Sequence, residues 1–240
     1  MSTLLGGRVI HTQPEQGHRT GIEPVLLAAS VPARPGQSVI EAGSGAGAGL
    51  LCLAARVGVA GLGVEREPAL VALARANAAA NGFAGLRFEQ GDIETLTGPA
   101  VHDHGFANPP WHDAAGTASP DAGREVAKRA QAGLYARWAL RLAGLITRRG
   151  TLTLAAPAGR LAESLAALAA AGCGSLAVMP LWPKPGRVPK IVLVQGVKGG
   201  RGPDRLLPGL VLHAEGGGYT DEAEAVLRHG AGLGWEATSR

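Results

Sequence analysis

Four consecutive residues, Asn108-Pro109-Pro110-Trp111, combine a side-chain amide, two prolines and an aromatic ring. Each proline fixes its own φ near about −65°, lacks an N–H group and pushes the preceding residue into an extended conformation. The backbone is therefore stiff and its carbonyls point outward. The Asn108 amide oxygen and the Pro109 carbonyl can accept both hydrogens of a flat –NH2 group while Trp111 stacks on the attached ring. This chemistry suits a site that holds a base or an amide by its amine.

A glycine-rich stretch, Ala42-Gly43-Ser44-Gly45-Ala46-Gly47, follows the apolar strand candidate Ser38–Glu41. Glycines after a strand let the chain turn tightly and approach a ligand closely, while the next helix presents free N–H groups. Turns of this type occur in NAD, FAD and S-adenosylmethionine sites alike, and some only pack a helix against a strand. Taken alone, the stretch therefore predicts a nucleotide-type site without choosing the ligand.

Two acidic residues follow the next strand candidates. Glu65 lies 24 positions after Glu41 (65 minus 41), near the separation of about 20 residues at which a carboxylate reaches a ribose hydroxyl pair. Asp92 could accept from an adenine amino group, with Ile93 beside the ring. The alternatives are an acid at a helix start for Glu65 and a turn aspartate for Asp92. A dinucleotide enzyme would also need machinery for hydride transfer, for which the sequence offers no candidate.

The elements that must position these residues alternate between strands and helices. The patterns predict strands at 38–41, 61–64, 86–89, 105–107, 151–155 and 191–197, and helices at 49–57, 68–81, 135–146 and 160–171. Such alternation favours a doubly wound, mostly parallel sheet in a three-layer α/β/α arrangement, in which ligands bind beyond the C-terminal strand ends. Glu41, Glu65, Asp92 and Asn108 are therefore expected to converge on one crevice.

The composition fits a cytoplasmic globular protein of one domain. Its 240 residues are 46% hydrophobic and 18% charged, which excludes a disordered chain. The apolar stretches are too short or too interrupted to cross a bilayer, and no signal-peptide core is present. Cys52 and Cys173 are too few for a disulfide framework, and alternate residues of His102-Asp103-His104 point to opposite strand faces, so we predict no metal site.

Positive charge concentrates in two segments. Residues 121–149 hold seven Lys or Arg against two acidic residues, and residues 184–205 hold six against one. Basic clusters of this kind fit phosphate contacts, although a solvated helix face or loop would have the same composition. The candidates for RNA binding are Arg124, Lys128, Arg129, Lys184, Arg187 and Lys190.

The motifs E-A-G-S-G-A-G, G-V-E, G-D-I and N-P-P-W, in this order, resemble those of class I S-adenosylmethionine-dependent methyltransferases. The last resembles the N-P-P-[YFW] signature of enzymes that methylate exocyclic or amide nitrogen. Gly7-Arg8-Val9, the stretch R-T-G-I-E-P-V-L-L-A at 19–28, and Gly218-Tyr219-Thr220 before a helix are similar to bacterial tRNA(Val) adenine-N6 methyltransferases. Two residues depart from the pattern: Glu41 stands where aspartate is commoner, and Trp111 where tyrosine or phenylalanine is usual.

This resemblance implies a seven-stranded Rossmann-like sheet and S-adenosyl-L-methionine as cofactor. It implies one methyltransferase domain over 1–240, with residues 1–35 as an extension closing over the cofactor and 36–240 as the core. The implied catalytic residues are Asn108, Pro109, Pro110 and Trp111. The implied cofactor-binding residues are Thr20, Gly21, Glu41, Ala42, Gly43, Ser44, Gly45, Gly47, Glu65, Arg66, Gly91, Asp92, Ile93 and Asn108.

The function that the sequence favours is methylation of the exocyclic N6 amine of an adenine in tRNA. A protein glutamine N5-methyltransferase is an alternative, because a glutamine side chain presents the same –NH2 group, and an rRNA guanine-N2 enzyme is another. An RNA-binding module that has lost catalysis is the alternative outside enzymes. The basic segments and the N-terminal stretch favour an RNA substrate over a protein one.

Overall fold

A computed structural model describes residues 2–14, 20–110 and 133–235. Its strands are β1 (Ser2–Leu4), β2 (Val9–His11), β3 (Ser38–Ala42), β4 (Ala60–Glu65), β5 (Leu86–Gln90), β6 (His102–Ala107), β7 (Ile146–Pro157), β8 (Cys173–Trp182), β9 (Ile191–Lys198), β10 (Arg205–Leu206) and β11 (Leu210–Val211). Its α-helices are α1 (Glu23–Ser30), α2 (Ala48–Val57), α3 (Pro68–Ala80), α4 (Leu134–Leu145), α5 (Leu161–Ala170) and α6 (Asp221–His229).

The main sheet has the strand order β5-β4-β3-β6-β7-β9-β8, and the two-residue strands β10 and β11 add to the outer side of β8. The pairs from β5 to β7 are parallel, and β9 runs antiparallel to both β7 and β8. A hairpin joins β8 to β9, which permits this reversal without a crossover. The predicted mostly parallel fold is confirmed, with the expected seven long strands supplemented by two short ones.

Helices cover both faces of the sheet and form two apolar cores. Adjacent β3 residues show the alternation: Val39 packs in the core with α1, α2, α3 and α6, whereas Ile40 packs in the core with α4 and α5. Both side chains are completely buried. A strand buried on both faces is the expected environment at the centre of a parallel sheet, so the predicted three-layer architecture is also confirmed.

Strand β8 escaped the sequence prediction because Pro180 lies inside it. Proline cannot donate to a β-ladder and usually argues against a strand. Here Pro180 pairs with β9 on one side, while the outer ladder is interrupted beside it: β10 pairs with Ala177 and Val178, and β11 with Leu181 and Trp182. The proline is thus accommodated at the sheet edge.

No helix in the described ranges is long and apolar enough to cross a membrane. The two histidines of the 102–104 stretch have structural partners at the N-terminal edge of the sheet. His102 shares a hydrogen bond with Ser38, and His104 shares hydrogen bonds with Thr151 and Gln37. Within the described residues, no group of three His, Cys, Asp or Glu side chains could hold a metal ion.

Candidate active site

A cavity of about 450 Å³ lies beyond the C-terminal ends of β3, β4, β5 and β6. Its volume suits a small molecule of nucleoside size or larger. Predicted site residues that line it are Thr20, Gly21, Glu41, Gly43, Ser44, Gly45, Glu65, Arg66, Gly91, Asp92, Ile93, Asn108, Pro109 and Pro110. The structure therefore brings the ends of four strands and part of the N-terminal segment to one place.

The glycine turn forms the floor of this cavity next to β3. Gly43 and Gly45 have φ values of +65° and +54°, a region that residues with a Cβ rarely adopt. The amide of Gly43 donates to the carbonyl of Val64 at 2.8 Å, which ties the turn to β4. A Cβ added at Gly43 would lie 2.8 Å from the Trp138 ring. Both the backbone conformation and this close packing therefore require glycine at position 43.

Glu65, the last residue of β4, accepts hydrogen bonds from the glycine turn and from the residue before α3. Its Oε2 accepts from the Gly45 amide at 3.0 Å, and its Oε1 accepts from the Glu67 amide at 3.0 Å. These bonds fix the carboxylate beside the glycine turn, where it also lines the cavity. A ribose bound over the turn would therefore find a positioned acceptor for its hydroxyl groups.

Glu41 is the buried acid of the site, with 4% of its surface exposed. Burial raises the pKa of Glu41 to about 8, the Leu50 amide lowers it by donating to Oε2 at 3.1 Å, and the nearby Glu65 raises it. The carboxyl group consequently holds its proton at neutral pH unless a cation lies beside it. A ligand with a positive charge would favour the ionised form.

Asp92 follows β5 as a turn aspartate that also lines the cavity. Its Oδ1 accepts from the Glu94 amide at 2.9 Å, as a turn aspartate does, and the residue also lines the cavity. Ile93 beside it is buried and lines the same cavity. An acidic and an apolar side chain thus meet at the end of β5, the pairing expected around an adenine ring.

Asn108 follows β6 and carries the most informative polar atom of the site. Its Oδ1 is buried and has no hydrogen-bond partner among the described residues. A buried amide oxygen without a donor is unfavourable by about 1–3 kcal/mol. Because Asn108, Pro109 and Pro110 all line the cavity, a ligand that brings an N–H group would satisfy this oxygen.

Two predicted cofactor residues do not line the cavity. Ala42 is completely buried and packs in the core on the α4 side of β3. Gly47 opens α2 with a φ of +91°, and a Cβ added there would lie 3.0 Å from the Phe88 ring. Strand alternation and the turn direct these two residues toward packed neighbours, and their predicted contact with the cofactor stays a prediction from the sequence.

The cavity also has walls that the sequence analysis missed. They include Pro14, Glu23, Glu94, Leu134 and Trp138. Leu134 and Trp138 belong to α4, whose apolar residues are typical of a core-facing helix. The sequence contains no local signal that this helix packs over the glycine turn.

The basic residues Lys184, Arg187 and Lys190 are exposed in the loop that joins β8 to β9. Since β8 runs in the same direction as β6 and β7, this loop lies at the edge of the sheet that carries the cavity. Three strand spacings separate β8 from β6, or about 14 Å. Trp182 at the start of the loop packs as an anchor, because its Nε1 donates to the Pro208 carbonyl at 2.9 Å.

The remaining predicted residues, Trp111, Arg124, Lys128 and Arg129, lie outside the described residues. Their roles in stacking and in RNA binding stay predictions from the sequence.

Comparisons with known proteins match this architecture. A family model of a methyltransferase domain matches residues 33–107. A predicted O-methyltransferase from Agrobacterium tumefaciens superposes with a TM-score of 0.71 at 23% identity, over 88% of this chain and 97% of that chain. TrmN from Thermus thermophilus has a TM-score of 0.52 at 22% identity, over 73% of this chain and 47% of that chain.

A third structure, a geranyl diphosphate C-methyltransferase from Streptomyces coelicolor, was solved with S-adenosyl-L-homocysteine. It has a TM-score of 0.54 at 11% identity, over 73% of this chain and 78% of that chain. No curated protein sequence matches this chain. At identities this low, the likeness to these structures shows the shared fold alone. The methyltransferase-domain match over residues 33–107 supports the predicted enzyme class, a methyltransferase that takes its methyl group from S-adenosyl-L-methionine.

Proposed function

We propose that this enzyme methylates the exocyclic N6 amine of an adenine in tRNA. The observation that carries the proposal is the buried Oδ1 of Asn108, which lines the cavity without a donor among the described residues. An –NH2 group bound there supplies the missing hydrogen bond. The adjoining Pro109 carbonyl is the second acceptor that we assign to the amine.

The donor side of the cavity has residues that fit the cofactor. Glu65 would hold the ribose hydroxyls, Asp92 and Ile93 would frame the adenine ring, and the glycine turn with Glu41 would surround the methionine end. When bound, the cofactor supplies an electrophilic methyl group on a sulfonium. Ionised Glu41 would stabilise the positive charge at that end of the ligand, because the carboxyl group is buried where electrostatic interactions are strong.

On the methyl-acceptor side, the residues must make a poor nucleophile reactive. The lone pair of an adenine amine is delocalised into the ring. Two acceptors fixed on its hydrogens favour pyramidal nitrogen and stabilise the positive charge that develops as the new bond forms. Pro109 and Pro110 keep the backbone of the clamp stiff. The residues therefore work mainly by positioning the amine in line with the methyl group.

The positive charge at the same edge of the sheet supports RNA as the substrate class. Lys184, Arg187 and Lys190 are exposed about three strands from Asn108, a distance that suits RNA phosphates flanking a base held in the cavity. We assign Arg124, Lys128 and Arg129 to the same RNA surface, and Trp111 to stacking on the base, from the sequence. An adenine splayed from a loop of tRNA can reach such a site.

A labelling experiment tests this proposal. The enzyme is incubated with tritiated S-adenosyl-L-methionine and either RNA or protein extracted from cells that lack its gene, and the Asn108→Ala variant serves as control. We expect label in the tRNA fraction, recovered as N6-methyladenosine after digestion, and none with the variant. Label in protein glutamine, in N2-methylguanosine or on an oxygen atom would contradict it, as would intact cofactor binding without transfer to either fraction.

A further inference from the structure

Asn77, on α3, lies behind the cavity wall and joins two parts of the donor site. Only 1% of the residue is exposed. Its Oδ1 accepts from the Thr12 amide at 2.8 Å, and its Nδ2 donates to the carbonyls of Thr12 and Ala46, each at 3.0 Å. Both N–H bonds and the carbonyl oxygen of the side chain are therefore engaged with backbone.

The two segments that Asn77 connects both reach the cavity. Ala46 belongs to the glycine turn and lines the cavity itself. Thr12 follows β2 and leads to Pro14, which lines the cavity from the N-terminal segment. Gln13 between them accepts through Oε1 from the amide of Thr20, another lining residue, at 2.8 Å. A single buried side chain thus fixes the N-terminal segment relative to the glycine turn.

We propose that Asn77 is a positioning residue for the methyl donor, acting through the glycine turn and the N-terminal segment without touching the ligand. A donor bound between the two segments contacts both at once, so its affinity depends on their relative placement. Loss of the Asn77 bonds frees each segment to move separately. Binding must then order both segments again, and this entropic cost weakens the affinity for the methyl donor.

The chain offers a matched control one helical turn further on. The Oδ1 of Asn81 accepts from the Ile10 amide at 2.8 Å, and its Nδ2 donates to the Ile10 carbonyl at 2.7 Å and to the Asn77 carbonyl at 2.7 Å. Asn81 therefore bonds the amide and the carbonyl of Ile10 in β2, as Asn77 bonds those of Thr12. It lacks the bond to the glycine turn that Asn77 makes to Ala46. If anchoring β2 were the whole role, the two asparagines would be equivalent.

The test compares Asn77→Ala with Asn81→Ala by titration calorimetry with S-adenosyl-L-methionine, at a temperature where circular dichroism shows both variants folded. We expect Asn77→Ala to raise the donor Kd by about tenfold or more, since small misplacements of binding groups have effects of this size. Asn81→Ala is expected to change it by less than about twofold, near the tenths-of-a-kcal/mol scale of independent sites. Equal changes in both variants, or an unchanged Kd in Asn77→Ala, would overturn the proposal.

A second measurement uses the unaltered protein and decides the question even if Asn77→Ala does not fold. Hydrogen exchange, followed by NMR with and without the donor, reports on the Thr12 amide bonded to Asn77 and on the Ile10 amide bonded to Asn81. By linkage, donor binding should slow exchange at Thr12 several-fold more than at Ile10. Equal protection would contradict the coupling. Neither measurement includes a methyl acceptor, so both outcomes are independent of the proposed tRNA substrate.

Discussion

The methyl-donor half and the methyl-acceptor half of the cavity differ in how the carboxylates of the first and the Asn108 amide oxygen of the second are hydrogen-bonded. On the donor side, Glu41, Glu65 and Asp92 each accept from backbone amides of the protein. On the acceptor side, the buried Oδ1 of Asn108 has no partner among the described residues, and the buried Oγ of Ser44 in the glycine turn likewise has none.

The three carboxylates are therefore held in place before a ligand binds, whereas the Asn108 oxygen is not held by any described residue. In the proposed function, the preorganised carboxylates and the glycine turn hold the methyl donor. In the proposed function, the unsatisfied amide oxygen contributes to substrate choice, because its hydrogen-bonding need is met by a substrate that donates an N–H group. Variants on the two sides should therefore separate donor binding from methyl transfer.

The largest expected effect comes from Asn108→Ala. Removing one of two fixed hydrogen-bond acceptors from the transition state should lower kcat by about 100- to 1000-fold, by analogy with the loss of one oxyanion-hole donor. Single-turnover transfer from labelled donor to tRNA measures the rate, and calorimetry with S-adenosyl-L-methionine should give a nearly unchanged Kd. A donor Kd that rises in parallel with the loss of rate would remove the distinction between the two halves.

Glu65→Ala tests the donor side. The loss of charged hydrogen bonds to the ribose hydroxyls should raise the donor Kd by about 10- to 100-fold. Glu67→Ala is the control, because Glu67 is two residues away, is exposed and is not among the residues that line the cavity. Calorimetry distinguishes them, and a matching loss in both variants would refute the role of Glu65.

Charge reversal of the β8–β9 loop tests the RNA surface. The triple change Lys184→Glu, Arg187→Glu and Lys190→Glu should raise the KM for tRNA by about tenfold or more and weaken its salt dependence, because phosphate contacts are lost. The control reverses Arg34, Arg148 and Arg201, which are exposed near the opposite edge of the sheet. Indistinguishable KM values for the two triple variants would exclude the loop from RNA binding.

The last expected effect concerns the stability of the free enzyme and not its activity. In the folded protein, the pKa of Glu41 is raised from its usual 4.5 to about 8. Folding therefore favours the protonated carboxyl group. Its contribution to the free energy of unfolding is fully present below pH 4.5 and is lost as the pH rises from 4.5 to about 8. Glu41→Gln should therefore melt at a higher temperature than the parent at pH 8.5, with a smaller difference at pH 5. Exposed Glu89→Gln provides the control, and a pH-independent difference would contradict this assignment.

The meeting of polar residues at the cavity was largely predictable from sequence, because the C-terminal residues of parallel strands lie at one edge of the sheet. Local motifs around Glu65, Asp92 and Asn108 therefore converge in space once alternating strands and helices are recognised. The same reasoning did not indicate that Ala42 and Gly47 face packed neighbours, because membership in a motif does not determine which way a residue faces. Their neighbours in the core decide that.

Features that depend on distant packing could not be predicted. Trp138 lies over Gly43 only because α4 crosses the end of β3. The pKa of Glu41 depends on burial and on Leu50 and Glu65. The edge of the sheet at which Lys184 lies depends on β8, a strand that the sequence does not indicate because Pro180 lies inside it. The bond from Asn77 to Ala46 spans 31 positions. Each is a property of tertiary contacts with no periodic sequence signal.

A crystal structure with S-adenosyl-L-homocysteine and adenosine monophosphate tests the central claim most directly. The account predicts the adenine amine within about 2.7–3.2 Å of both Asn108 Oδ1 and the Pro109 carbonyl, with the ribose of the cofactor product on Glu65. An adenine bound elsewhere, or an Asn108 Oδ1 that remains without a donor in that complex, would contradict it.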